Sequence, residues 1–149
     1  MTTRQRPIKS LGQNFLINER IQQRIVDAAS LQASDVVVEI GPGKGALTRR
    51  ILPLVKKLIV VEKDHQLAQL LSVEIKDPQF EVIHEDFLKW DMSMLPDDLI
   101  VIGNIPYYIS TPIIEKILKH RNKIKRAYLT IQLEFGERLA ANAGWGGNG

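Results

Sequence analysis

A β-branched run, Val36-Val37-Val38-Glu39-Ile40, gives way at once to glycines at alternate positions, Gly41, Gly43 and Gly45. Valine and isoleucine suit a strand buried on both faces of a sheet. Glycines permit backbone angles and close approaches that a Cβ would block. Apolar residues at helical spacing follow, in Ala46, Leu47, Ile51 and Leu52. Strand, glycine turn and helix make the first half of a βαβ unit, and in such sheets a ligand sits just beyond the carboxyl end of the strand. The turn is not a P-loop, because Lys44 is followed by Gly45 rather than Ser or Thr and the G-x-x-x-x-G-K spacing is missing. The glycine positions also do not match the dinucleotide fingerprint G-x-G-x-x-G.

The pattern E-x-G-x-G-x-G, from Glu39 to Gly45, resembles the first motif of S-adenosylmethionine (SAM) dependent methyltransferases. A plain tight turn between strand and helix has the same local residues, so the rest of the chain decides. Its 149 residues suffice for one domain with a core. The absence of cysteine excludes disulfides, cysteine-ligated metals and a thiol nucleophile. No apolar run reaches membrane-spanning length and no signal-peptide core opens the chain, which points to the cytoplasm.

Residues 1–17 read as a basic, extended segment ending in Gly12-Gln13-Asn14-Phe15-Leu16. Asn18 suits a helix N-cap, with Ile21, Ile25, Ala28 and Ala29 as the apolar face behind it. Phe15 and Leu16 can simply pack this helix onto the sheet, with Asn14 near the ligand. After strand one, Val36 to Ile40, a helix is predicted to about Leu54. Strand two is Leu58 to Val61, ending at Glu62, and a helix from Asp64 is predicted to bury Leu67, Leu70 and Leu71. An acid at this strand tip, about 20 residues after the glycine turn, is placed to accept hydrogen bonds from ribose hydroxyls. Strand three, Phe80 to Ile83, leads to Glu85-Asp86-Phe87. A carboxylate at Asp86 can accept from the amine of an adenine, or it can cap a helix.

Strand four, Leu99 to Gly103, runs into Asn104-Ile105-Pro106-Tyr107. These residue types suit methylation of an amino group on a planar base. The lone pair of such an amine is delocalised into the ring. Two acceptors aimed at its hydrogens favour pyramidal nitrogen and free that pair, and the Asn104 side-chain oxygen and Ile105 carbonyl can be those acceptors. Pro106 restricts Ile105 to extended backbone, which helps aim its carbonyl. Tyr107 can stack on an extruded base. A helix is predicted from Thr111-Pro112, with Ile114, Ile117 and Leu118 facing the sheet, then strand five from Ala127 to Gln132 and a helix start from Glu134 to Ala141. Residues 142–149 form a glycine-rich tail.

The net charge of +3 is unevenly spread. Residues 1–25 carry +4 and residues 116–126 carry +6, so the remainder carries −7. Such clustering favours a polyanionic partner. Lys119, Arg121, Lys123, Lys125 and Arg126 are the candidate RNA contacts, although a solvated basic loop has the same composition. Residues 74–98, with their excess of acids, are a poor face for RNA.

Together the motifs at Gln13-Asn14-Phe15-Leu16, Glu39 to Gly45, Glu62, Glu85-Asp86 and Asn104 to Tyr107 resemble the rRNA adenine N6,N6-dimethyltransferase family over residues 7–141. The resemblance implies an α/β, Rossmann-like SAM-dependent methyltransferase fold with strand order 3-2-1-4-5. It implies a methyltransferase domain over 18–141 and cofactor contacts at Asn14, Leu16, Gly41, Gly43, Glu62, Asp86 and Asn104. Asn104, Ile105, Pro106 and Tyr107 would form the catalytic motif, with no metal. Tyr108-Ile109-Ser110-Thr111-Pro112 and the stretch from Gln132 to Leu139 are closer to the KsgA type, which dimethylates adjacent adenosines near the 3′ end of small-subunit rRNA during ribosome assembly. Phe135-Gly136 departs from that pattern. The alternatives are the Erm type, which methylates large-subunit rRNA and confers macrolide resistance, a non-catalytic RNA-binding assembly factor, and a methyltransferase for proteins or small molecules. Family members continue with two more strands and a small helical domain. The chain is therefore expected to be truncated after strand five and to self-associate through that uncovered edge.

Overall fold

The structure is a computed structural model that describes residues 19–132. Its sheet has the strands β1 (Val36–Ile40), β2 (Lys57–Glu62), β3 (Phe80–His84), β4 (Leu99–Pro106) and β5 (Ile124–Gln132). All pairings are parallel, in the order β3-β2-β1-β4-β5, as the resemblance implies. The helices are α1 (Glu19–Ala29), α2 (Ala46–Ile51), α3 (His65–Glu74) and α4 (Ser110–Lys119). Short 3₁₀ turns cover Leu52–Leu54, where Pro53 ends the helix, and Tyr107–Ile109. The expected cap at Asn18 and the helix from Glu134 lie outside the described residues, as does the glycine-rich tail.

The sheet is buried on both faces, which its unbroken β-branched strands require. On one face Val37, Leu58, Val60, Ile100 and Ile102 pack under α1, α2 and Leu71 of α3. On the other, Val38, Ile59, Val61 and Val101 pack under Ile113 and Ile117 of α4 and under Phe87 and Met92 of the β3–β4 connection. Each such side chain contributes roughly 1.5–3 kcal/mol by leaving water.

Several helix faces differ from expectation. In α1 the buried set is Gln22, Ile25, Val26 and Ala29, whereas Ile21 and Ala28 are exposed. Both sets have helical spacing. Docking on the sheet selects the one that buries Val26 with Ile25. In α3, Ala68 and Leu71 are buried while Leu70 is exposed. In α4, Ser110, Ile113 and Ile117 are buried, and Ile114 and Leu118 are exposed at its flanks. The cap of α4 is also not Thr111. The helix begins at Ser110, whose Oγ donates to the Tyr107 carbonyl at 2.7 Å. The β3–β4 connection contains no helix, so Asp86 is not a helix cap. It heads a tight turn in which Lys89 and Trp90 donate backbone N–H groups to its carbonyl at 2.9 and 3.0 Å.

Two strands are longer than expected because they pair with each other. β4 runs on through Asn104, Ile105 and Pro106 because these residues face Thr130, Ile131 and Gln132 of β5. β5 begins at Ile124, which places Lys125 and Arg126 within a strand rather than a loop. Among the described strands β5 lies at the edge, where charged side chains are readily solvated.

Candidate active site

The strand order reverses at β1, with β2 and β3 on one side and β4 and β5 on the other. This reversal opens a crevice beyond the carboxyl ends of β1 and β4. The candidate residues meet at that end of the sheet in spatial order: Asp86 after β3, Glu62 ending β2, Gly41 and Gly43 after β1, and Asn104 near the end of β4. Neighbouring strands lie about 4.8 Å apart, so the row from β3 to β4 spans roughly 14 Å. It suits an elongated ligand lying across the strand ends.

The glycine turn is shaped for close approach. Gly41 and Gly43 have φ values of 63° and 60°, and a Cβ built on either meets nothing within 4 Å. The space above them is open, and side chains there would both strain the backbone and occupy the crevice. The Gly41 N–H donates to the Val61 carbonyl at 2.9 Å, which ties the turn to β2.

Glu62 holds the turn from the side. Its Oε1 accepts from the Gly43 N–H at 3.1 Å and its Oε2 from the Asp64 N–H at 2.9 Å, and the residue is buried. Both carboxylate oxygens are thereby oriented, each with a lone pair left for a ligand hydroxyl. Asp64 caps α3 by accepting from the Leu67 N–H at 3.0 Å. Asp86 is half-buried, and its Oδ1 accepts from the Leu88 N–H at 3.0 Å. Its Oδ2 lies 3.9 Å from the Lys63 ammonium. The cradle of open glycines and oriented carboxylates fits an adenosyl ligand.

On the other side of β1, β4 outruns its neighbour. The β1–β4 ladder ends at Ile40 opposite Gly103, whereas the β4–β5 ladder continues to Pro106. The backbone of Asn104, Ile105 and Pro106 therefore has no β1 partner. The Asn104 Oδ1 accepts from the Thr130 hydroxyl at 2.9 Å, which fixes the amide plane and leaves the oxygen's second lone pair. Pro106 has φ −67° and ψ 148°, and Tyr107 after it is 41% exposed, which leaves its ring accessible to a base.

Glu39 has a role that its place in the glycine motif did not disclose. It is buried on the central strand β1, and its Oε1 accepts from the Thr48 hydroxyl at 2.6 Å. Burial pushes its carboxyl up to about 8, opposed by the Thr48 bond and reinforced by the nearby Glu62 charge. A carboxyl raised in this way retains a proton that the unfolded chain has lost. Its contribution to stability is complete below about pH 4.5 and declines as pH rises through about 8. Glu39→Gln keeps a neutral acceptor for Thr48. The variant should therefore gain stability relative to the parent between pH 5 and 8, by at most about 1.4 kcal/mol per pH unit. Urea unfolding of both proteins across that range checks this, and a constant gap would show that Glu39 is ionised in the fold.

Asn14 and Leu16 lie outside the described residues. The basic candidates are not gathered at the crevice. Lys119 and Arg121 are exposed at the opposite end of the sheet, roughly 20 Å from Asn104 by strand rise. Lys123 donates to the Leu95 carbonyl at 2.6 Å and lies 3.6 Å from Asp97. Lys125 lies 3.4 Å from buried Asp35, and Arg126 sits over the Tyr128 ring at 5.8 Å. Thr130 was invisible to sequence reasoning because only strand register pairs it with Asn104. Among the described residues no group of His, Cys, Asp and Glu is placed to hold a metal ion, and no helix is long and apolar enough to cross a membrane.

Comparison with known proteins agrees with this geometry. The family model for ribosomal RNA adenine dimethylase matches residues 4–146. The chain is 46% identical over 138 residues to the ribosomal RNA small subunit methyltransferase A of Chlorobium phaeobacteroides, covering 91% of this chain and 52% of that protein. It is 42% identical over 144 residues to the protein of the same name from Anoxybacillus flavithermus, covering 91% and 49%. Among solved structures it is similar to a dimethyladenosine transferase from Plasmodium falciparum, with a TM-score of 0.66 at 38% identity over 82% of this chain and 44% of that one. It is also similar to the 23S rRNA methyltransferase ErmE, with a TM-score of 0.65 at 27% identity over 87% and 50%. The chain spans about half the length of the curated relatives it matches. With its glycine cradle, its acids at successive strand ends and its Asn104 to Tyr107 motif, the chain belongs to the ribosomal RNA adenine dimethylase family.

Proposed function

We propose that this chain is the cofactor-binding and catalytic portion of a SAM-dependent enzyme that dimethylates N6 of adenosine in rRNA. The observation that carries the reading is the crevice itself. Open glycines and the oriented Glu62 lie on one side of β1, and the β4 extension bearing Asn104 lies on the other. When bound, the cofactor supplies an electrophilic methyl carbon on a sulfonium. Gly41 and Gly43 leave room for it, Glu62 accepts from its ribose and Asp86 from its adenine amine. Asn14 and Leu16 complete the cofactor contacts in this reading.

An adenosine extruded from the RNA stacks on Tyr107, and its amine donates to the Asn104 Oδ1 and the Ile105 carbonyl. Asn104 and Ile105 would hold the nitrogen pair in line with the methyl carbon that the bound cofactor would supply, the cofactor leaving as a neutral thioether. The methylated amine carries positive charge until its proton passes to water. Acceptors already in place stabilise that charge, so positioning and electrostatics supply most of the acceleration.

The small-subunit names of the relatives favour immature small ribosomal subunits as the substrate, and hence a cytoplasmic site of action. Labelled SAM offered with immature small subunits and, separately, with protein-free large-subunit rRNA tests this. Label in adenosine of the small subunit is expected. Label only in the large-subunit RNA would favour the Erm type, and none in either a non-catalytic assembly factor.

The exposed Lys119 and Arg121 are the better RNA contacts of the basic set, because Lys123, Lys125 and Arg126 are engaged by the Leu95 carbonyl, Asp35 and the Tyr128 ring, whereas Arg121 donates to the Leu118 carbonyl at 3.0 Å within its own turn and stays exposed. Replacing both with Gln should flatten the dependence of log affinity on log salt by about 0.7–0.9 for each phosphate that is no longer neutralised. An unchanged slope in filter-binding titrations would make this turn a solvated connector. Self-association belongs to the same reading and rests on the edge position of β5 and its exposed Ile131.

A further inference from the structure

Lys116 belongs to the basic stretch by sequence, yet it is half-buried and faces inward. It lies on α4, and its Nζ donates to the backbone carbonyls of both Phe87 and Trp90. The same ammonium lies 4.8 Å from the centre of the Phe87 ring. Burial holds it below the usual lysine value, opposed by the carboxylates of Asp86, Asp91 and Glu85. Phe87 and Trp90 flank the turn that Asp86 heads. The Trp90 N–H reaches the Phe87 carbonyl at 3.3 Å, and the other bonds that close the turn go to Asp86. Its Oδ1 accepts from the Leu88 N–H, and its carbonyl accepts from Lys89 and Trp90. The connection has no helix to stiffen it.

We propose that Lys116 is a positioning residue for the cofactor: it clamps the Phe87–Trp90 turn so that Asp86 is presented to the adenine, and it does not contact RNA. The inference rests on the reading of Asp86 as the adenine acceptor. A cation donating to two carbonyls holds the turn at two points, which a hydrophobic contact would not do. The clamp also joins the two halves of the site. The helix that carries Lys116 starts directly after the Asn104 to Tyr107 motif, where Ser110 donates to the Tyr107 carbonyl. Docking of α4 thus sets the target motif at one end and the adenine turn near the other.

Lys116→Met keeps the aliphatic stem and removes the donor. In calorimetry with SAM the variant should bind about five- to thirtyfold more weakly. In the free protein, hydrogen exchange at the amides of Leu88, Lys89 and Trp90 should quicken while the β1, β2 and β4 amides keep their protection. The salt dependence of RNA binding should match the parent. Lys116→Arg, which can still donate to carbonyls, should recover part of the affinity and decides the matter if the Met variant fails to fold. SAM affinity within twofold of the parent, or faster exchange across the whole sheet, would overturn the proposal. Asp86→Ala separates the two ideas. If it weakens SAM binding and Lys116→Met does not, the clamp alone fails. If Asp86→Ala has no effect, the adenine reading fails and takes the clamp with it.

Discussion

Asn104→Ala should cut methyl transfer on the order of 10²–10³-fold while leaving RNA affinity nearly unchanged. The size follows from what is removed. In the proposed mechanism the reacting amine has two acceptors, the Asn104 side chain and the Ile105 carbonyl, and only the first can be deleted by substitution. Losing one preorganised hydrogen bond to developing charge costs about this much in comparable sites. The Asn104 amide is already oriented, because its Oδ1 accepts from Thr130 at 2.9 Å and it need not reorganise on binding. The fold should tolerate the change. Asn104 is only half-buried, and the freed Thr130 hydroxyl can turn to water. Single-turnover transfer at saturating SAM is the measurement, with RNA binding followed separately. A folded variant with near-normal turnover would remove Asn104 from the chemistry.

Glu62→Gln should weaken SAM binding by about 1–3 kcal/mol, or roughly five- to 150-fold. The carboxylate accepts a backbone N–H on each oxygen, from Gly43 and from Asp64. An amide has one acceptor oxygen, so its NH₂ would face a second donor with nothing between them. Either the glycine turn or the start of α3 must then move, and in the proposed reading the ribose loses a charged acceptor. A chain-wide loss of stability is not expected, since the core under the turn is apolar and intact. Calorimetry with SAM checks the prediction. Unchanged affinity in the folded variant would sink the ribose assignment. The substitution also removes the Glu62 charge that raises the Glu39 carboxyl. The Glu39 titration should accordingly move down in the same protein.

Much of the fold was legible because its signals are local. Val36 to Ile40 reads as a two-sided buried strand from residue type alone, and the abrupt glycines after it mark the turn. The positions of Glu62, Asp86 and Asn104 follow from counting strands and reading the residues near or just beyond the carboxyl end of each. The parallel order 3-2-1-4-5 came through family resemblance, and the pairing of all five strands agrees with it. The errors fall where two local answers were equally good. Helix α1 has two faces with apolar residues at helical spacing, one with Ile21, Ile25 and Ala28 and one with Ile25, Val26 and Ala29, and only the sheet beneath it selects the second. Strand ends failed for the same reason. Nothing in Asn104-Ile105-Pro106 announces a strand, and the segment becomes one because β5 lies beside it.

By itself, the sequence determined the strand–glycine–helix start, the acids at successive strand tips and the Asn104 to Tyr107 motif, because residue type and spacing along the chain specify each of these. Tertiary structure alone decided what the charges do. Lys116 and Lys123 look like members of one basic cluster, but carbonyls from the β3–β4 connection meet both of them. Glu39 looks like any acid until burial between sheet and helix keeps its proton in place. Thr130 has no relation to Asn104 until register sets them side by side. The physical reason is common to all three. A side chain's charge state and partner depend on solvent access and on neighbours distant in the chain, and packing is what supplies both.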